Sequence, residues 1–236
     1  MLKYLKIRRG AQKRTNGQPY AHPQIVTKRH RFDDPIETKY ISRKAPIVIE
    51  GAASSGKSRM LHRLFSAHED IWGAKSNAPL LLSVSAPIGA WADSPDFEKW
   101  AIDSGFPFAS LRIYQRVDLL PRYVAARSIV VFLDDAHLLT GSSRKGQIAR
   151  DCIAAARVFV IACSAFNRLP PNLRDTVQRR ANVQTIQLST DVAFDATNSL
   201  FWILLVVLLA AGALEAAVIL GALRVLGGGR WASKQQ

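Results

Sequence analysis

The sequence predicts an α/β fold, a parallel sheet covered by helices, and three observations carry that expectation. From Ala45 onward, short runs rich in Val and Ile alternate with longer helical patterns, as in sheets buried on both faces. The segment Gly51-Ala52-Ala53-Ser54-Ser55-Gly56-Lys57-Ser58 matches the phosphate-loop pattern G-x-x-x-x-G-K-[ST] and falls between a strand and a helix. A further apolar strand, 129–134, ends in the paired carboxylates Asp134 and Asp135.

In chain order, the pattern predicts strands at 46–50, 80–85, 129–134, 157–164 and 183–188. Helices are predicted at 57–68, 95–104, 114–127, 144–156 and 171–180. Ser94 before Pro95, and Pro170 before Pro171, mark two helix starts, because proline fits the first turn and has no amide to waste. Residues 1–44 mix basic residues with Gly10, Gly17, Pro19, Pro23 and Pro35 and keep neither period; they are expected to form an irregular, solvated arm. The chain is thereby divided into 1–44 as arm, 45–190 as the α/β domain, 191–198 as linker, 199–226 as an apolar segment and 227–236 as tail.

Among the 236 residues Lys and Arg outnumber Asp and Glu by 32 to 18, which points to an anionic partner. Residues 1–44 hold nine of the fourteen net positive charges, with twelve Lys or Arg against Asp33, Asp34 and Glu37. Cys152 and Cys163 have no metal-ligand spacing around them and read as small core residues. Residues 1–10 are basic with no apolar run behind them, so a secretory signal is not expected and the α/β domain is assigned to the cytoplasm.

Residues 201–214 carry no charge, and Glu215 alone interrupts the apolar stretch up to Leu223. Since roughly 20 apolar residues span a bilayer, 199–226 is predicted to be a single transmembrane helix, with Trp202 and Trp231 near its two ends. A very apolar core helix is the alternative. Arg224 at the end of the segment and Arg230 and Lys234 beyond it invoke the positive-inside rule and place the C-terminus in the cytoplasm, where the nucleotide site must also lie. A single span with a short exported tail is favoured over a re-entrant segment.

The chemistry expected of the motifs is phosphate binding. Glycines let residues 51–59, from Gly51 to Arg59, wrap closely around phosphate, and backbone amides at a helix N-terminus form an anion nest. Lys57 would bridge the β and γ phosphates of ATP, and Ser58 would ligate Mg²⁺. Asp134 would hold the same Mg²⁺ through water, and Asp135 would orient the attacking water. His137 reads more simply as a packing or capping residue.

These motifs, followed by a strand at 158–163 that ends in Ser164 and Asn167, resemble the AAA+ and related ATPases, in which an extra strand lies between the two Walker strands. The resemblance covers residues 45–190 and implies a three-layer P-loop fold with sheet order 5-1-4-3-2. It further implies that Ser164, or less readily Asn167, senses the γ-phosphate. Arg174, Arg179 and Arg180 become candidates for an arginine finger supplied in trans within a homo-oligomer. Two departures stand out: Asp135 replaces the usual Glu, and residues 189–198 leave no room for the family's helical lid.

Lys28-Arg29-His30-Arg31, Arg8-Arg9 and Lys13-Arg14 could grip phosphates of DNA or of anionic lipid, or remain solvated without a partner. The expectation is therefore a membrane-anchored ATPase of AAA+-like architecture using ATP and Mg²⁺. The alternatives are a nucleotide-dependent scaffold without hydrolysis, to which the short Asp135 and missing lid point, and a P-loop kinase.

Overall fold

The computed structural model describes residues 2–13, 19–29, 32–73, 79–188, 207–208, 210 and 212. The chain divides into two compact units, Met1–Asp191 and Val192–Gln236, and both β-sheets lie in the first.

The N-terminal segment corrects the expectation of an irregular arm. Strands β1 (Leu2–Lys13), β2 (Pro19–Lys28) and β3 (Glu37–Tyr40) form an antiparallel sheet in the order β1-β2-β3. Leu5 pairs with Ile25 and Ile7 with Pro23, which puts one apolar row on one face. Basic residues between these positions hide the alternation in the sequence. Pro23 is tolerated in the central strand because its carbonyl still accepts from Ile41 N–H, and its missing N–H, on that same side, falls just past the last ladder pair, Gln24 with Tyr40.

The second sheet is parallel throughout. Its strands are β4 (Ile47–Gly51), β5 (Leu80–Ser83), β6 (Val130–Asp134), β7 (Val158–Cys163) and β8 (Gln184–Leu188), arranged β5-β6-β7-β4-β8. Counted from β4, that order reads 5-1-4-3-2 from the β8 edge. The central strands β6 and β7 are buried along their whole length, which is why their residues are continuously apolar rather than alternating.

Successive side chains divide between two cores. Val48, Val131, Leu133, Phe159 and Ile161 face helices α3 (Pro95–Asp103), α4 (Ile113–Arg127), α5 (Arg144–Ala155) and α6 (Pro171–Gln178). Ile47, Ile49, Phe132, Val160 and Ile186 face α1 (Lys57–Ser66) and α2 (His68–Trp72), and Leu5, Ile25 and Ile41 join this second core. Trp72 fixes the junction: its ring meets Phe132 edge-on at 5.8 Å, and its Nε1 donates to Arg43 O at 2.9 Å. On the other side Lys3 Nζ donates to Gln187 O, and Ser42 N–H donates to Gln184 Oε1. The N-terminal sheet is thereby docked onto α1, α2 and the edge strand β8.

Among the described residues no helix is long and apolar enough to cross a membrane. The predicted span 199–226 lies outside the described residues except for Val207, Leu208, Ala210 and Gly212, and the flanking segments 189–198 and 227–236 lie outside them entirely. Arg14, His30 and Arg31 of the basic clusters also lie outside them.

Candidate functional site

The C-terminal ends of β4, β6 and β7 gather the polar residues. The loop leaving β4 is shaped by two glycines for different reasons. Gly51 lies against β8: a Cβ there would collide with Ser55 Oγ and sit 2.6 Å from Leu188 O. Gly56 adopts φ +85° with nothing near its missing Cβ, so its requirement is conformational, and Ser54 shares the left-handed region at φ 62°. Lys57 opens α1, is buried, and folds back so that Nζ donates to Ala52 O at 2.7 Å. An ammonium held against a single loop carbonyl keeps most of its donor capacity for an anion.

From β6, the buried Asp134 carboxylate accepts from Ser58 Oγ at 3.0 Å and from Asp135 N–H at 3.0 Å. The two residues expected to hold a cation are therefore already in contact. Asp135 leaves the strand in the left-handed conformation, φ 53°, and starts a short 3-10 turn, Ala136–Leu138. From β7, Ser164 Oγ is buried and has no hydrogen-bond partner, a state it shares with Ser55 Oγ and His137 Nδ1. Buried polar atoms are almost always paired; of the four orphans among the described residues, three lie on loops at this end of the sheet and the fourth, Gln24 Nε2, lies in β2.

The electrostatics place these groups in one field. Burial pushes the His137 imidazole below its ordinary value; Asp135 opposes this, Lys57 and Arg168 reinforce it, and Asp134 also opposes. The Cys163 thiol is pushed up to about 12, by burial first and by Glu50, against the pull of Lys57. Cys163 is thus an inert core thiol at neutral pH.

Glu50 was not foreseen as part of this cluster, nor was Arg168. Glu50 Oε1 accepts from Phe166 N–H at 2.7 Å, clamping the loop after β7 to the strand that leads into the phosphate loop. Its signal in the sequence is a carboxylate ending the apolar run Ile47-Val48-Ile49. The arginine candidates have different settings. Arg174 is half-buried on α6, Arg179 is exposed, and Arg180 Nη2 donates to Ala154 O and Ala156 O, closing the C-terminus of α5. Arg59 points outward, lining a groove with Leu5 and Ile7 instead of the loop. Asn167 is exposed in the turn Phe166–Arg168.

The residues fit a phosphate and a divalent cation. Glycine-shaped amides and Lys57 suit an anion, while a hydroxyl paired with a carboxylate is a hard oxygen set of the kind that takes Mg²⁺. Among the described residues no group of three His, Cys, Asp or Glu could hold a metal by itself. A cation there needs further oxygens from phosphate or water.

Fold and site together define an α/β protein with a phosphate-loop geometry at the end of a parallel sheet. No protein-family profile and no curated protein sequence matches the chain. Among the solved structures similar to part of it are the following three. AMPPCP-bound DnaA from Aquifex aeolicus is 16% identical with a TM-score of 0.37, over 63% of this chain and 41% of that one. Katanin, in a structure concerned with its self-assembly, is 19% identical with a TM-score of 0.35, over 61% and 40%. The cytoplasmic domain of the Thermomonospora curvata type VII secretion ATPase EccC is 14% identical with a TM-score of 0.37, over 74% and 23%. The chain spans less than half the length of each of these structures, and at such scores the likeness says nothing of activity, ligand or assembly.

Proposed function

We propose that this chain is an AAA+-like ATPase that binds ATP with Mg²⁺ and hydrolyses it. The observation that carries the proposal is the Ser58 Oγ to Asp134 Oδ1 contact at 3.0 Å, which joins the two nucleotide motifs across 76 residues of sequence. In this account the loop amides and Lys57 bind the phosphates, and Ser58 and Asp134 hold the cation. Bound Mg²⁺ neutralises charge that develops on the phosphoryl oxygens. Asp135 orients the attacking water, and the unpartnered Ser164 hydroxyl donates to the terminal phosphoryl group. Glu50 keeps the Ser164 loop in place through Phe166 N–H.

The finer parts of the proposal rest on sequence pattern. Residues 199–226 anchor the protein in a membrane with the site on the cytoplasmic side, the N-terminal basic residues meet DNA or anionic lipid, and Arg174 completes a neighbouring site in a homo-oligomer. A second function, nucleotide-dependent scaffolding without hydrolysis, is favoured by one specific observation: Asp135 is a methylene shorter than Glu, and its backbone N–H is tied to Asp134.

Calorimetric titration of the full chain with ATP tests the binding step. Binding that needs Lys57 and whose Mg²⁺ dependence disappears in Ser58→Ala is the expected result. A wild-type chain that takes up no ATP in the presence of Mg²⁺ overturns the proposal.

A further inference from the structure

A groove separates β1 from the outer face of α1. Leu5 and Ile7 line it from the strand, and Arg59, His62, Arg63 and Ser66 line it from the helix. Leu5 is buried and Ile7 half-buried, whereas Arg59, His62 and Arg63 are exposed, so the floor is apolar and one wall is cationic. No acidic residue occurs in β1, β2 or α1, while β1 and α1 together carry eight Lys or Arg. The ion pairs Lys39–Glu37, Arg144–Asp118 and Arg150–Asp151 involve none of them.

We propose that this groove binds a single strand of nucleic acid, with its phosphates along Arg59 and Arg63 and its sugar and base faces over Leu5 and Ile7. Positive charge concentrated on β1 and α1, neither of which contains an acidic residue, calls for a polyanion. Arg59 and Arg63 are four residues apart on a helix and lie one above the other on the same face, which suits a linear polyanion running along the groove. The concave shape and apolar floor favour a narrow strand. A duplex keeps its base faces stacked inside, and a lipid surface is flat and meets a convex face rather than a recess.

The groove also has a bearing on the nucleotide site. Helix α1 begins at Lys57 in the phosphate loop and carries Arg59 and Arg63 on its flank, so one rigid element contacts both ligands. Strand and nucleotide then alter each other's affinity by the same factor. This coupling rests on the proposed ATP site; strand binding does not, and it is measured without nucleotide.

The test is fluorescence anisotropy of a labelled oligothymidine of about 20 nucleotides, longer than one groove needs, titrated with the full chain in detergent micelles. Arg59→Glu/Arg63→Glu is expected to weaken binding by about tenfold or more, and loss of two phosphate contacts should flatten the slope of log K against log salt by about 1.4. Arg59→Gln/Arg63→Gln, which adds no repulsion, should flatten the slope equally, with melting curves verifying that both variants fold. Duplex DNA of the same length and vesicles containing phosphatidylserine are the comparison arms. Weaker duplex binding supports the proposal. No binding by the wild-type chain, an unchanged salt slope in the variants, duplex binding as tight as single-strand binding, or a variant defect confined to vesicles overturns it. Strand binding without any ATP binding would leave the groove assignment standing and remove the nucleotide proposal instead.

Discussion

Replacing Gly51 with Ala separates steric from conformational demands in the phosphate loop. The added Cβ would sit 2.6 Å from Leu188 O and 3.1 Å from Leu188 Cβ, in addition to colliding with Ser55 Oγ. Because Gly51 pairs with Leu188 across β4 and β8, relief requires the edge strand itself to move. Overpacking of this kind costs about 1–3 kcal/mol. For a domain of this size that corresponds to a drop of about 2–12 °C in melting temperature. Gly56 provides the contrast: a Cβ there meets nothing within 4 Å, but φ is +85°. Gly56→Ala should cost about 1–2 kcal/mol through backbone strain alone, and Asn, which tolerates the left-handed region, should recover part of it. At position 51 Asn should recover nothing. Thermal melts of the four variants provide the assay. A Gly51→Ala protein that melts within about 1 °C of wild type, or a recovery by Gly51→Asn, would refute the steric argument.

Three further outcomes are expected. Ile25→Ala should destabilise by about 2–5 kcal/mol, because Ile25 is only 7% exposed and packs in the core with Ile47, Ile49 and Leu61, whereas the exposed Lys6→Ala should change stability by less than about 0.5 kcal/mol. Equal, negligible effects in urea unfolding would mean that residues 1–44 are a solvated arm after all. For His137, the folded pKa lies below the ordinary 6.5, so its contribution to stability is complete above that pH and is lost as pH falls from 6.5 through the folded value. The stability gap between wild type and His137→Asn should therefore narrow on acidification, and a gap constant from about pH 5 to pH 8 would contradict the assignment. Ser164→Ala removes a hydroxyl that has no partner in the protein, so its melting temperature should hold while ATP turnover falls by about tenfold to a thousandfold. A large loss of stability with unchanged turnover would make Ser164 structural.

What could be read in the sequence was local. The five parallel strands announced themselves because residues such as Val130 to Leu133 are apolar on both faces, and the two motifs did so because their spacing is itself the chemistry. Residues whose role depends on distant partners stayed hidden. Glu50 acquires its role from Phe166, 116 positions away. The strand character of residues 2–13 and 19–28 was masked because Lys6 and Arg8 alternate with Leu5 and Ile7, because Lys3 falls on the same face as those apolar residues, and because Pro23 usually argues against a central strand. Only the covering by α1, α2 and β8 makes that alternation meaningful. Trp72 was likewise lost beyond the expected helix end at 68; the helix restarts at His68 and delivers its indole to Phe132 and Arg43. Arg180 resembled Arg174 in the sequence, yet it is spent on the carbonyls of Ala154 and Ala156.

The most direct test of the central claim is Mg²⁺-dependent ATP turnover by the full chain in detergent, compared with Lys57→Ala and Asp135→Asn and repeated with single-stranded DNA. Turnover abolished by both substitutions is the expected result, with Lys57→Ala also losing ATP binding and Asp135→Asn retaining it. Tight ATP binding with no turnover under any condition, or turnover indifferent to Asp135, would contradict hydrolysis at this site.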